Sequence, residues 1–226
     1  MMTRAAMSLV GIVTGLLVGG CSTHIRVGFD PASLAAAPRR EAAPVADKAL
    51  LVMAAEDAGW VYEVRSAYVR ENYLKLSFEV GEITKQAALQ VLGAAYTQGV
   101  EYRNEAGNAR GFAVIVTPKV DKFTFGWKQV VQVERLVLAL IPFMGYSPQV
   151  QPWIEMEMHV EFRAPDGRLL FETTCQSARQ FGNQCESSSE MTRGKRGAGE
   201  LRRLFHLTAV RLLETAVAEF EKRSRP

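Results

Sequence analysis

Four polar side chains at alternate positions in the second half of the chain have the chemistry of metal ligands. They are Glu155, Glu157, His159 and Glu161, within the alternating stretch from Trp153 to Phe162. On a strand such residues form a row about 7 Å apart, whereas a tetrahedral metal site needs ligands that converge. The sequence indicates no second element that would supply converging ligands. It therefore predicts a solvated sheet face and no bound metal.

Other signatures of catalysis are missing from the sequence. His24 lies near the N-terminus and His206 on the charged side of a C-terminal helical pattern. The chain has no G-x-S-x-G, S-x-x-K or H-E-x-x-H sequence and no Walker A motif, and "GKRGAG" lacks the spacing of a phosphate-binding loop. We therefore expect a protein that is not an enzyme. A hydrolase that uses a spatial pair of carboxylates stays open as an alternative.

The first twenty residues have the organisation of an export signal. Arg4 precedes the uncharged apolar run from Ala5 to Gly20, which is followed by Cys21. A run of this length is short for a membrane span, which needs about 20 residues. The sequence Val18-Gly19-Gly20-Cys21 resembles the lipobox of bacterial lipoprotein precursors.

The lipobox resemblance implies a covalent lipid anchor. In lipoprotein precursors the signal peptide, here 1–20, is removed, and Cys21 receives a diacylglyceryl group on its sulfur and an acyl group on its nitrogen. No other cofactor is expected. Because Ser22 stands where lipoproteins of the inner membrane typically carry Asp, the resemblance also implies the periplasmic face of the outer membrane. Several acyl chains hold a protein firmly at a bilayer.

Two cysteines remain once Cys21 is assigned to the anchor. Cys175 and Cys185 are separated by nine residues, and the periplasm is a compartment where disulfides persist. The spacing predicts a structural disulfide that stabilises the fold by about 3 kcal/mol on the chain-entropy model. A zinc pair would need two further ligands, and a catalytic thiol would need a nearby base.

The composition indicates a globular protein without a nucleic-acid partner. Of 226 residues, 48% are hydrophobic and 23% are charged, and the formal net charge is only +3, with no basic cluster among aromatic residues. Residues 21–47 include the Ala- and Pro-rich stretch from Asp30 to Asp47, which predicts a flexible tether with a relaxed reach of about 28 Å. Residues 48–226 are then one periplasmic domain.

Hydrophobic periodicity predicts an α+β domain in which helices pack on one face of an antiparallel sheet. The strand patterns are Lys48–Glu56, Tyr73–Val80, Gly111–Trp127 and the hairpin Trp153–Phe162 and Arg168–Gln180, joined by a turn at Ala164–Gly167. The helical patterns are Glu82–Gly99 and Glu200–Lys222.

This order of elements resembles a known group of envelope proteins. The strand–glycine–helix passage from Tyr73 to Tyr96 and the C-terminal helix are similar to the β-α-β-β-α domains of outer-membrane lipoproteins that act in lipopolysaccharide assembly and curli secretion. The resemblance implies the fold and leaves the function open.

One apolar segment does not match that pattern. The insertion 133–149 contains the run from Leu136 to Gly145, which is too short to cross a bilayer as a helix. It is either a core element, an exposed surface for self-association or a partner, or a segment that dips into the membrane beside the anchor.

We therefore expect a membrane-anchored periplasmic lipoprotein that acts non-catalytically as an accessory or assembly factor in envelope biogenesis or export. It would contact an envelope protein or a second copy of itself. The predicted interaction surface comprises Leu136, Leu138, Leu140, Ile141, Phe143, Met144, Tyr146, Phe123, Phe125 and Trp127. An alternative is a carrier that holds a lipid or other apolar ligand between sheet and helices, lined by Met156 and Met158. An envelope hydrolase is the other alternative.

Overall fold

The computed structural model describes residues 23–29, 47–66, 74–130, 149–184 and 195–224. The strands in these ranges are β1 (Thr23–Val27), β2 (Ala49–Val52), β3 (Tyr62–Ser66), β4 (Leu74–Phe78), β5 (Val100–Arg103), β6 (Val114–Val130), β7 (Gln149–Arg163), β8 (Leu169–Gln176) and β9 (Gln180–Phe181). The helices are α1 (Ala55–Ala58), α2 (Val80–Ala95) and α3 (Lys195–Ser224). The predicted signal peptide 1–20, Cys21 and the run from Leu136 to Gly145 lie outside the described residues.

The larger sheet confirms the predicted α+β class. Its strands follow the order β5-β2-β6-β7-β8, and β9 pairs with β7 beside β8. The strands β6, β7 and β8 are antiparallel, whereas β2 is parallel to both β5 and β6. The parallel pairs were not predicted, because they join strands that are distant in sequence.

The predicted alternation on β7 is confirmed. Its inward side chains are fully buried: Ile154, Met156, Met158, Val160 and Phe162. They face α3, whose buried residues include Leu201, Phe205 and Leu213. The turn between β7 and β8 also forms as predicted, with Gly167 at φ 87°, a backbone conformation that favours glycine.

Pro118 lies within β6 and does not interrupt it. The pairing of β2 with β6 ends at Val116, so among the described strands Pro118 pairs only with Val160 of β7. Proline is tolerated where a strand has no hydrogen-bonding neighbour on one side. A bulge follows between Val120 and Lys122.

The first strand corrects the predicted tether. Thr23–Val27 pairs in parallel with β4, and β3 completes a three-stranded sheet in the order β1-β4-β3. Val27 is fully buried and Ile25 packs against the core, while His24 and Arg26 point outward. This period of two drives strand formation because one face can be buried. Residues 21–47 are therefore not a tether throughout.

Aromatic rings join the small sheet to the large one. Phe78 of β4 is fully buried, and its ring lies 5.3 Å from that of Phe123 and 4.9 Å from that of Phe125 in β6. The ring of Phe205 in α3 lies 6.4 Å from Phe78 and 4.7 Å from Phe123. One main core thus spans both sheets and both long helices.

The helices α2 and α3 contact each other through a buried histidine. His206, which the sequence placed on the charged side of the helix, is only 2% exposed, and its Nε2 lies 2.7 Å from Oε1 of Gln90 in α2. Its ring also packs 6.0 Å from that of Phe29. Within the described part of the chain, Nδ1 of His206 has no hydrogen-bond partner. Burial lowers the pKa of His206 below its ordinary value of 6.5.

His206 should make the fold less stable in acid. Because its pKa is lower in the folded protein, the unfolded chain takes up this proton first as the pH drops through 6.5, and the free energy of unfolding decreases there. The variant His206→Gln can keep the bond to Gln90 but cannot titrate. Denaturant unfolding at about pH 7.5 and about pH 5.5 should show a larger loss for the wild type than for this variant. Equal losses would show that the lowered pKa of His206 is not the cause of the acid sensitivity.

Candidate functional site

The structure does not gather the predicted interaction residues on one exposed surface. Phe123 and Phe125 are 5% and 7% exposed, and both belong to the core. Trp127 is partly buried and packs edge-to-face on Phe125 at 4.8 Å. Alternation in β6 turns all three rings towards the core, which corrects their assignment to a surface. The seven predicted residues from Leu136 to Tyr146 lie outside the described residues, and their role stays a prediction.

The opposite face of the same strands carries a different aromatic cluster. Gly126, Trp153 and Phe181 are directly paired across β6, β7 and β9, so they form one row. Lys128 and Arg179 flank this row with positive charge. We call these five residues the outer patch. The end of the β6–β7 hairpin that carries the patch leads directly into residues 131–148.

Trp153 is held between a glycine and a guanidinium group. A Cβ atom at Gly126 would lie 2.4 Å from Cζ2 of Trp153, so the indole can approach this stretch of backbone closely only because the residue is glycine. The guanidinium of Arg179 also lies over the indole, 4.4 Å from the ring centroid. This is a cation–π distance, so the charge holds the ring in place.

Phe181 is the most exposed large apolar side chain of the patch. It is 44% exposed, and Nζ of Lys128 lies 5.6 Å from its ring centroid. Glu155 lies 3.7 Å from Arg179 and 3.8 Å from Lys122, and it partly balances the positive charge. Aromatic rings combined with arginine are typical of protein interfaces and of their hot spots. The outer patch thus has the composition of a protein-binding surface.

Replacing Gly126 with alanine should displace Trp153. The added methyl group would overlap the indole, which also contacts Arg179 and must shift, so we expect a destabilisation of about 1–3 kcal/mol. Denaturant unfolding measures this loss. In a Trp153→Leu background the same glycine change should be nearly neutral, since the overlapping ring is gone. A neutral Gly126→Ala change in the wild type would show that the indole does not lie on the glycine.

A second strand, β8, contributes a possible metal ligand to the predicted polar row on β7, contrary to the sequence-based expectation. Nε2 of His159 lies 3.8 Å from Glu161 and 3.9 Å from Glu172 of β8, while Nδ1 lies 3.1 Å from Thr174 Oγ1. Three possible ligand atoms therefore lie within 4.8 Å of one another. The guanidinium of Arg163 bonds Glu161 at 2.8 Å and already supplies a compensating cation. The cluster is explained as a partly exposed polar network that includes the Arg163–Glu161 ion pair.

The predicted disulfide remains a prediction. Cys175 lies in β8 as a buried free thiol, and Cys185 lies outside the described residues. Burial raises the pKa of the Cys175 thiol, and the nearby carboxylate of Glu219 raises it further. A thiol with a raised pKa is a weak nucleophile at neutral pH. The site does not have the properties of a catalytic cysteine.

The proposed carrier pocket is filled by protein. Met156 and Met158 are 0% exposed and belong to the continuous core that joins the sheet to α2 and α3. Their side chains occupy the space that an apolar ligand would need. The structure gives no support to the carrier alternative at these residues.

An open cleft of about 250 Å³ lies where β1 and β4 end and α2 begins. Glu79 in this cleft is ion-paired with Arg26, and Glu82 bonds Lys85 at 2.6 Å. Burial by itself raises the pKa of Glu82, but hydrogen bonds from Lys85 and Gln86 outweigh it and hold the pKa below the ordinary value. The lining residues are Arg26, Ala58, Gly59, Trp60, Val61, Glu79 and Glu82. Because its charges are already paired, the cleft shows no catalytic arrangement.

Sequence reasoning missed the outer patch, although a signal was available. Trp153 occupies the same alternating row as Glu155 and His159, which is otherwise polar. A large aromatic residue on a solvent-facing row indicates a contact surface. The contribution of Phe181 and Arg179 could not be seen, because it depends on the pairing of β9 with β7.

Comparisons with known proteins give only distant similarities. No protein-family model matches the chain, and no curated protein matches it. Solved structures with similarity include a PelC dodecamer from Paraburkholderia phytofirmans, with 11% identity over 80% of this chain and 95% of that chain and a TM-score of 0.39.

Two further structures show similarity at the same level. A putative neuraminyllactose-binding hemagglutinin homologue from Helicobacter pylori has 8% identity over 89% of this chain and 98% of that chain, with a TM-score of 0.39. A minor lipoprotein from Acinetobacter baumannii has 11% identity over 78% of this chain and 95% of that chain, with a TM-score of 0.36. Because all three TM-scores lie below 0.5, the similarities do not establish a shared fold.

Among the described residues, no helix combines the length and the apolar character that a membrane span requires.

Proposed function

We propose that this protein is a lipid-anchored lipoprotein on the periplasmic face of the outer membrane, where it acts non-catalytically as an accessory or assembly factor. Its proposed partner is another envelope protein, which binds the outer patch. The observation that carries this proposal is the exposed ring of Phe181 beside the partly buried Trp153, flanked by the cations of Lys128 and Arg179.

The anchor is supported by the sequence around Cys21. The uncharged run before it, the small residues Gly19 and Gly20 and the presence of Ser22 after it match the lipoprotein pattern. Diacylation with a further acyl chain gives stable attachment, which one chain does not.

The outer patch supports a protein partner more than a small ligand. It is an open row on an exposed sheet face, whereas small ligands bind in enclosed pockets. Phe181 supplies apolar area beside Lys128, and Arg179 lies over Trp153 and pairs with Glu155, which also pairs with Lys122. A partner with acidic residues around an apolar centre would complement this surface.

Photo-crosslinking in cells tests the patch. The crosslinking amino acid p-benzoylphenylalanine would replace Phe181, and in a control variant it would replace Leu170, which is similarly exposed at 42%. We expect a discrete adduct from position 181 that is absent from position 170 and is weakened by Arg179→Ala. An adduct of twice the chain mass would indicate self-association instead of an envelope partner. No adduct at 181, or equal adducts at both positions, would contradict a role for the patch.

Membrane fractionation tests the anchor. The wild-type chain should appear in the outer-membrane fraction and incorporate labelled fatty acid. The Cys21→Ser variant should do neither, since the acceptor thiol is missing. Retention of the variant in the membrane without label would contradict lipidation at Cys21.

A further inference from the structure

The anchor residue and the first strand are almost adjacent in the chain. Cys21 is two residues before Thr23, where β1 begins. Consecutive Cα atoms are about 3.8 Å apart, so the Cα atoms of these residues are separated by at most about 8 Å. The start of β1 therefore lies close to the proposed anchor residue, whereas a long tether would allow a separation of tens of ångströms.

Several contacts hold β1 in the fold. All five of its residues pair with β4, from Thr23 opposite Leu74 to Val27 opposite Phe78. Nε2 of His24 lies 2.6 Å from Ser77 Oγ, and the backbone N–H of Glu79 donates to the carbonyl of Val27 at 3.0 Å.

The outward side of β1 is fixed as well. Arg26 is ion-paired with Glu79, and its carbonyl accepts a hydrogen bond from Arg202 of α3 at 3.4 Å. The strand is thereby connected both to the segment that follows β4 and to α3, so it moves with the domain.

We propose that β1 fixes the orientation of the domain on the lipid bilayer. The N-terminal ends of β1 and β4 face the phospholipid surface, and the cleft at the other end of these strands faces the periplasm. Four residue steps at about 3.3 Å place Val27 about 13 Å from Thr23 along the strand. This inference rests on the proposed lipidation of Cys21.

Lys75 and Val61 mark the two ends of this sheet. Lys75 pairs with His24, one residue from the start of β1, whereas Val61 lines the cleft. The side chain of Lys75 is 36% exposed and Val61 is 43% exposed, so both are accessible to a probe to a similar extent. They therefore form a matched pair for measuring which end contacts lipid.

The test uses the full lipidated protein in vesicles of phosphatidylethanolamine and phosphatidylglycerol. A diazirine-bearing amino acid would replace Lys75 in one variant and Val61 in another, and mass spectrometry would measure adducts with phospholipid after illumination. We expect a several-fold higher lipid-adduct yield at position 75. Equal yields, or a higher yield at position 61, would overturn the proposed orientation.

A linker insertion provides the control. Twelve Gly/Ser residues between Ser22 and Thr23 add about 17–21 Å of relaxed reach. The adduct yield at position 75 should then fall to the yield at position 61, while the protein stays bound to the vesicles. An unchanged yield at position 75 would also overturn the proposal.

The two proposals fail in different ways. If the wild type incorporates no fatty acid and fractionates like Cys21→Ser, the anchor itself is absent and the proposed function fails. If the wild type is lipidated and bound but shows no difference between positions 75 and 61, only the orientation fails.

Discussion

Replacing Gly81 with alanine is expected to destabilise the protein by about 3 kcal/mol, the upper end of the usual range for added bulk in a packed site. The same substitution at Gly93, twelve residues later in the same helix α2, should instead stabilise it by about 1 kcal/mol. The opposite signs follow from the surroundings of the two glycines.

Gly81 lies where α1 touches the beginning of α2. A Cβ atom there would be 2.1 Å from the carbonyl oxygen of Asp57 and 2.4 Å from that of Ala58. These are backbone atoms, so no side-chain rotation can relieve the overlap. The N–H of Gly81 also donates to the carbonyl of Trp60 at 3.0 Å, which keeps the two chain segments in contact. The methyl group must therefore push α1 away.

Gly93 is exposed, and a Cβ atom there would meet no atom within 4 Å. Alanine then brings only its better helix propensity, because it lowers the conformational entropy of the unfolded chain. Denaturant unfolding followed by circular dichroism gives both free energies. If both variants shift in the same direction, the close approach of α1 to α2 is not present in the protein.

Local sequence patterns predicted the strands and helices in which hydrophobic residues recur at a regular period and form one buried face. The alternation from Ile154 to Phe162 and the apolar stripe of α3 depend only on neighbouring residues and on the period of 2 or 3.6. The turn at Gly167 follows likewise from local chemistry. Each of these appears in the structure as predicted.

The pairing of strands that are distant in sequence could not be predicted from local patterns. The short run Thr23–Val27 becomes a strand because β4 lies about fifty residues further along, and its alternation of Ile25 and Val27 is too brief to predict a strand. The convergence of Glu172 on His159 likewise depends on the hairpin register. Alternation in β6 predicted two faces but not which one is buried, so Phe123 and Phe125 were assigned to a surface while they belong to the core.

The second large effect concerns Phe78, whose truncation to alanine is expected to cost about 3–5 kcal/mol. Its ring is fully buried among those of Tyr62, Phe123, Phe125 and Phe205, at centroid distances of 4.9 to 6.4 Å. These partners belong to both sheets and to α3. A cavity at this position cannot close without moving one sheet relative to the other.

Phe181→Ala is the matched control, since it removes the same side chain from a position that is 44% exposed. Its cost should stay below about 1 kcal/mol, as for other surface substitutions. Denaturant unfolding compares the two variants, and a Phe78→Ala change that costs no more than Phe181→Ala would contradict the central position of Phe78.

The order of unfolding in Phe78→Ala also tests how the three-stranded sheet is held to the rest of the domain. Because Phe78 connects β4, and through it β1, to the large sheet, its loss weakens the link between the three-stranded sheet and the rest of the domain. We expect the three-stranded sheet to unfold before the larger sheet in this variant, seen as separate transitions by different probes. Coincident transitions would contradict a role for Phe78 as the main link between the two sheets.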